Sequence, residues 1–316
     1  MNQFHSMTAR VEDYLTARRK LGFGLKAQGT QLFAFARFAE RVGHRGPVTL
    51  ELALRWARDS HSTRPITAAK RIGVLRPFVR YLQQFEPATE VPPFKLLGPT
   101  HRRPVPHIFS NAEVEELLAA AGRLPPAGGL QPATYETLFG LLAATGMRIS
   151  EALRLERADV MLEAGMLNVS KSKCRRSRLV PLHETTIAAL QRYAQFRDQL
   201  LPLAADDNFF LSPWGRALKL GTVEDTFCRL RRRLGWVARG DYPAPRIFDL
   251  RHAFITNCLL RWYQNQINVD NAIAALSTYV GHVRVSDTYW YVSAIPELMA
   301  LAARRFERYA QETPND

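Results

Sequence analysis

Apolar positions in the first 86 residues recur every three or four places, the spacing of helices that bury one stripe. Val11, Tyr14, Leu15 and Leu21 form one set, and Leu32, Phe35, Ala39 and Val42 the next. Leu50, Ala53, Leu54 and Ala57 make a third, and Ile72, Leu75, Val79 and Leu82 a fourth. The pattern predicts four short helices that can close into a bundle. It stops at Pro87, beyond which Pro92, Pro93, Pro99, Pro104 and Pro106 withhold backbone donors and fix φ, which excludes helix interior and central strand alike. Residues 87–106 therefore read as a linker between a domain of residues 1–86 and another of residues 107–316.

Ser110 and Glu113 stand as a capping box ahead of Val114, Leu117 and Leu118, which starts a new helix and with it the second domain. Pro125 to Pro132 closes that unit, and a helix through Leu138, Leu141 and Leu142 ends at Gly146. Met166-Leu167-Asn168-Val169 and Arg178-Leu179-Val180-Pro181-Leu182 predict two strands joined by a polar, basic turn. Helical spacing returns near 184–200, 222–235, 249–264, 269–280 and 296–311. The expected fold class is mainly α with a small β-hairpin: a helical bundle followed by an α+β domain.

A hydrophobic content of 47% is that of a globular chain, and 316 residues suffice for two domains with cores of their own. Three cysteines, Cys174, Cys228 and Cys258, are an odd number without short spacing, which argues against a disulfide framework or a zinc site. No apolar run approaches the ~20 residues of a membrane span. The start, MNQFHSMTARVEDYL, lacks the apolar stretch and cleavage site of a secretory signal, so the expected location is the cytoplasm.

The net charge of +14 favours a polyanionic partner, nucleic acid ahead of membrane, although 36 of the 43 basic residues are Arg and genome composition also produces such a skew. Its distribution is more telling. Residues 1–106 hold 18 basic and 7 acidic residues, a surplus of +11, whereas residues 107–316 hold 25 and 22. In the fourth helix Arg76 and Arg80 lie one turn apart on the flank of the apolar stripe, with Lys70 further round, and the linker carries His101, Arg102 and Arg103. These are candidate contacts to a DNA backbone, though a solvated face or tether is the commoner role of such residues.

Four segments of the second domain hold residues suited to phosphate chemistry. In Ala144-Thr145-Gly146-Met147-Arg148-Ile149-Ser150-Glu151-Ala152-Leu153, Gly146 ends one helix and Ser150 can cap the next, leaving Arg148 on the turn to present its planar fork to a phosphate. The turn from Ser170 to Arg178 is either a solvated hairpin tip or a mobile finger whose lysine donates a proton to a leaving oxygen. Asp249-Leu250-Arg251-His252-Ala253-Phe254 opens a helix that sets Arg251 beside core residues, where either a carboxylate or a bound phosphate must satisfy it. Val280-Gly281-His282 precedes Tyr291 by nine residues counted from His282. Alone, Arg148 is more often a surface arginine on a turn, and a His after Gly or an aromatic cluster is more often packing; after Arg, Lys, Arg and His, a tyrosine is a candidate nucleophile toward phosphorus.

In this order TGMRISEAL, SKCRRSRLVPLH, DLRHAF and VGHVRVSDTYWYVSAIPEL resemble the tyrosine recombinases, or phage-type integrases, closest in wording to transposon-borne members and over about residues 107–311. The resemblance implies a catalytic domain at 107–316 and, at 1–86, a helical core-binding domain that clamps DNA, the latter similar to the family only in length, helicity and position. It implies cleavage and rejoining of double-stranded DNA for a mobile element through a 3′-phosphotyrosine, with no cofactor and no metal. It further implies a tetramer on two paired sites, room for co-encoded recombinases as partners, and a nucleoid-associated location away from membranes. By the same resemblance Arg148 and Arg251 hold the non-bridging phosphate oxygens, His282 contacts the phosphate and Tyr291 attacks. Lys173, five residues before Arg178, matches the turn lysine that protonates the leaving 5′-oxygen, with Lys171 as its alternative; Lys171, Arg175 and Arg176 join the DNA-contact set.

One position departs. The family places a histidine three residues before the second arginine, and here that residue is Phe248, which neither donates a hydrogen bond nor carries a proton. His252 is not the expected substitute, because the family commonly has histidine there as well and one step along a helix turns a side chain by ~100°. Reduced cleavage, compensation by a neighbour such as Arg246 or Tyr289, and a non-cutting accessory transposition factor are the open outcomes. The other five positions favour an active enzyme, and the wording is that of a recombinase and not of a type IB topoisomerase. The final helix puts Leu298, Leu301 and Ala302 on one face, equally suited to a neighbouring protomer and to the chain's own core.

Overall fold

Four helices form in the first part of the chain, seen in a computed structural model that describes residues 6–60, 62, 65–100, 103–170 and 177–312. They are α1 (Met7–Lys20), α2 (Lys26–Arg41), α3 (Leu50–Arg58) and α4 (Pro65–Gln83). The hydroxyls of Ser6 and Thr49 accept from the amides of Ala9 and Leu52 at 3.1 and 3.2 Å and so start α1 and α3. Phe35 lies at the centre of the core, edge-on to Trp56 at 5.3 Å and to Phe78 at 6.4 Å. Leu21 and Val42 do not join it. Each is the first residue past a helix end, where the chain has left the stripe, and both are exposed.

Much of the proline-rich segment belongs to this unit. The Glu90 amide donates to the Val48 carbonyl at 2.9 Å, the Glu90 carboxylate accepts from the Leu50 amide at the start of α3, and Val91 and Leu97 pack on the core. Missing N–H groups forbid a helix there but not docking as extended chain. By internal contacts the chain divides into Met1–Arg103 and Pro104–Asp316.

The second unit begins with α5 (Asn111–Gly122), closed at its start by the reciprocal Ser110–Glu113 box, and continues with α6 (Leu130–Thr145) and the single turn α7 (Ile149–Ala152). A three-stranded antiparallel sheet follows: β1 (Val160–Met161), β2 (Met166–Val169) and β3 (Arg178–Pro181). The register pairs Val160 with Leu167 and Leu167 with Val180, which share one buried face, and at the end of that face Val169 pairs with Arg178. The two expected strands are β2 and β3; β1, two residues long, is too short to register as a periodic pattern.

Helices α8 (Glu184–Leu200), α9 (Leu220–Arg233), α10 (Asp249–Gln264), α11 (Val269–Val280), α12 (Ser286–Ala294) and α13 (Pro296–Glu312) complete the unit. The main core joins α5, α6, the sheet, α8 and α9 to the start of α10. A second core gathers Ile255, Leu259, Ile273, Leu276, Val280, Tyr291 and Leu298 from α10 to α13. Leu298 is therefore packed within its own chain. Helix α12 was not foreseen: Thr288, Tyr289, Trp290, Tyr291 and Val292 carry strand-like propensity, and packing on α10 and α11 overrides it.

Candidate active site

The site starts at a turn that only glycine makes comfortably. Gly146 ends α6 with φ of 59°, and a Cβ there would run into the Phe254 ring. The turn delivers Arg148 to the start of α7, where the Glu151 carboxylate accepts from the Arg148 amide at 3.1 Å. Glu151, not Ser150, is thus the residue that closes this helix start.

Glu151 is also the hub of an arginine cluster. Its oxygens accept from Arg148 Nη1 at 2.9 Å and from Arg178 Nη2 at 2.9 Å, and its side chain is fully buried. Burial alone would push its carboxyl up, but the hydrogen bonds and charges of Arg178 and Arg148 hold it below the ordinary value. The two guanidiniums also grip the fourth motif: Arg148 Nη2 donates to the Gly281 carbonyl at 2.8 Å and Arg178 Nε to the Tyr279 carbonyl at 2.8 Å. Gly281 has φ of 70°, and a Cβ on it would lie 2.7 Å from Arg178 Nη1. The turn before His282 is therefore fitted to Arg178 by the absence of a side chain.

Arg251, on the first turn of α10, is 2% exposed. Its Nη1 donates to the Gly146 carbonyl at 2.7 Å, while the buried Nη2 has no hydrogen-bond partner among the described residues. Burial, then the charge of Arg148, lower its pKa to about 10, so it remains a cation at neutral pH; Tyr291, Glu151 and Arg178 also act on it. Arg148, Arg251, Glu151, Arg178 and Tyr291 form one electrostatic cluster.

Tyr291 is buried on α12, and its hydroxyl meets His252 Nδ1 at 2.7 Å. His282 stacks nearly parallel to the Tyr291 ring at 6.4 Å, held through Nδ1 by Thr288 Oγ1 at 2.7 Å. Thr288 and Tyr291, three residues apart, share the inner face of α12. Tyr289 lies on another face, 44% exposed, and donates to Asp270 at 3.2 Å. Burial, then Arg246, Arg251 and His282, depress His252 to a pKa of about 3.

The structure thus brings Arg148, Arg251, His282 and Tyr291 together. Lys171, Lys173, Arg175, Arg176 and Arg102 lie outside the described residues. Lys70, Arg80 and Arg103 are exposed. Arg76 is half-buried: its Nε donates to the Pro92 carbonyl at 2.9 Å and its guanidinium lies over the Phe94 ring. Neither expected compensator reaches Tyr291 through the contacts seen: Arg246 is bound to Asp249 at 2.6 Å and stacked on Tyr242, and Tyr289 is turned to Asp270. His252 does, against the expectation. Although ~100° from Arg251, His252 is only ~40° round the helix from Phe248, four residues away, and so shares its face. The Phe248 ring indeed stands edge-on to His252 at 5.0 Å. Glu151, Arg178 and Thr288 all lie within the quoted motifs, but none of the three carries a chemical signature that marks it in the sequence. Among the described residues no group of His, Cys, Asp or Glu is placed to hold a metal ion, and no helix is long and apolar enough to cross a membrane.

Replacing Glu151 with Ala strands two largely buried guanidiniums and should cost about 3–5 kcal/mol in urea unfolding. Acid acts in the same direction. The stability tied to neutral His252 is intact above its ordinary 6.5 and lost as pH falls toward about 3, and that tied to ionised Glu151 is lost as pH falls below its ordinary 4.5. The melting temperature should therefore fall on acidification from pH 6.5, with a shallower slope between 6.5 and 4.5 in His252→Asn.

Residues 108–297 match the phage integrase family. A Sinorhizobium fredii protein named "Putative integrase/recombinase y4rB" is 40% identical over 302 residues, covering 94% of this chain and 96% of that protein. Tyrosine recombinase XerD of Caulobacter vibrioides is 31% identical over 239 residues, 75% of this chain and 73% of that one. Among solved structures, the Tn1549 transposon integrase in complex with transposon right end DNA shares the fold with a TM-score of 0.71 at 17% identity, covering 97% of this chain and 100% of that one. The XerH site-specific recombinase bound to difH substrate gives 0.64 at 18% identity over 94% and 84%. With its family motifs folded into one arginine, histidine and tyrosine cluster, the chain belongs to the phage integrase family.

Proposed function

We propose that this chain is a site-specific recombinase that cuts and rejoins double-stranded DNA through a 3′-phosphotyrosine at Tyr291. The observation that carries the reading is Arg251: a buried guanidinium with Nη2 unpaired among the described residues, acted on by both Arg148 and Tyr291. An orphaned buried donor is costly unless a ligand oxygen completes it, and a phosphodiester oxygen is an acceptor of the right charge. The arithmetic of charge agrees. Arg148, Arg178 and Arg251 against Glu151 leave two positive charges, which match a phosphodiester as it gains its second negative charge in the five-coordinate transition state.

In this reading Tyr291 attacks phosphorus and the 5′-oxygen leaves with a proton from Lys173, the role its motif implies. His282, fixed by Thr288, faces the Tyr291 ring and joins the arginines on the phosphate. The bond energy stays in the protein–DNA link until a 5′-hydroxyl attacks it. The surplus of +11 in residues 1–106, with Lys70 and Arg80 exposed, supplies sequence-independent grip on the backbone. Service to a mobile element, a tetramer on two paired sites, co-encoded partners and a cytoplasmic, nucleoid-associated location belong to the same proposal. The 40% identical relative's name supports the integrase part.

Incubation with nicked suicide duplexes carrying the DNA that flanks the gene should give a denaturation-resistant adduct with the wild type and none with Tyr291→Phe. Arg148→Ala and Arg251→Ala should bind the duplex yet cleave about 10² to 10³ times more slowly. An adduct that survives Tyr291→Phe contradicts the assignment. Lys70→Ala and Arg80→Ala should each weaken binding uniformly across sequences and lower the slope of log K against log salt by ~1. An unchanged slope would place the DNA elsewhere.

A further inference from the structure

We infer that His252 is the proton acceptor for Tyr291, taking over at the fourth residue of α10 the work for which Phe248, four residues earlier, has no chemistry. The inference rests on the proposed role of Tyr291 and adds its base.

Geometry carries it. His252 Nδ1 lies 2.7 Å from Tyr291 Oη, within the distance of a strong hydrogen bond to the atom that attacks phosphorus. The imidazole is fixed on three sides: Phe248 stands edge-on at 5.0 Å, Trp290 at 6.2 Å, and the Tyr291 ring is tilted at 5.5 Å. Phe248 therefore has a task. It covers the ring that does the chemistry and keeps water from its Phe248 side, although its own outer edge is 40% exposed.

The charges around His252 say when it acts. Arg246, Arg251 and His282 face it, and with burial they keep it neutral while the site holds no anion. In the tautomer with the proton on Nε2, Nδ1 accepts the Tyr291 O–H. Phosphate binding offsets the positive charges and raises the proton affinity of the imidazole where the phenol must lose its proton. In the cleavage step the Tyr291 Oη–P bond forms and the P–O5′ bond breaks. The phenolic proton moves to His252 Nδ1, and the 5′-oxygen takes a proton from the acid proposed at Lys173. On rejoining, the attacking 5′-hydroxyl returns its proton to that acid as Tyr291 leaves and recovers its own from His252.

The test separates a base from a strut. His252→Asn keeps a short side-chain acceptor near the Nδ1 position but cannot carry a proton, whereas His252→Ala removes both functions. Single-turnover adduct formation on the suicide duplex should fall about 10²-fold or more in both variants, with DNA affinity and melting behaviour showing them folded. Adding Phe248→His to His252→Asn should restore the rate at least tenfold. His252→Asn cleaving within about threefold of the wild type, a size below any general-base effect, overturns the proposal, as does a double variant no faster than His252→Asn. A reading that does not depend on variants at 252 is the ¹⁵N spectrum of histidine-labelled wild-type protein. One Nδ1 resonance should be unprotonated and shift on Tyr291→Phe; a protonated Nδ1 responding to that change would overturn the assignment. Wild-type protein that forms no adduct at all would remove the functional reading itself and the base with it, whereas a Tyr291 adduct unaffected at His252 removes the base alone.

Discussion

A single buried carboxylate organises the second unit. Glu151 receives both Arg148 and Arg178, and each of those arginines spends a further donor on the backbone just before His282. Three stretches far apart in sequence, the α6–α7 turn, strand β3 and the end of α11, are thereby tied to one point. The glycines at 146 and 281 follow from this constraint, since the chain must turn through positive φ where the Phe254 ring and the Arg178 guanidinium leave no room for a Cβ. Removing water from one anion among three guanidiniums fixes geometry before any substrate arrives, which is what electrostatic catalysis requires.

The same constraint leaves charge over. Glu151 neutralises one of three guanidiniums, and Arg251 is lodged in the core with one donor on Gly146. The site is thus loaded with positive charge that its own residues do not consume. In the proposed reaction that surplus is set against a phosphate whose charge grows, while burial, then Arg246, Arg251 and His282, depress His252 and keep it neutral. Net charge is a different matter: in the proposed reading the nearly balanced second domain carries the chemistry, and the basic surplus of residues 1–106 supplies the grip.

Most elements were legible in the sequence because they bury one stripe. The capping box at Ser110, the glycine end of α6 and helices α8, α10, α11 and α13 were read within a few residues of their observed ends. Helix α12 was not, because its central residues favour strands and only packing makes them helical. The arginines, His282 and Tyr291 were legible through motif order. Glu151, Arg178 and Thr288 were harder, since a residue that positions another leaves no chemical signature of its own. His252 lies ~100° round the helix from Arg251 but only ~40° from Phe248, and the second angle decides which face it shares. Residues 87–106 read as a tether because prolines exclude helix and sheet, yet extended chain can dock, and Pro92 takes the Nε donor of Arg76.

In the proposed reaction the cluster aims a phosphate at one oxygen, that of Tyr291. The most direct measurement is protease digestion of the trapped protein–DNA adduct followed by mass spectrometry of the nucleotide-bearing peptide. The nucleotide should be attached through its 3′-phosphate to Tyr291. Attachment at Tyr289, two residues away on the face bonded to Asp270, or at any residue outside α12, would contradict it.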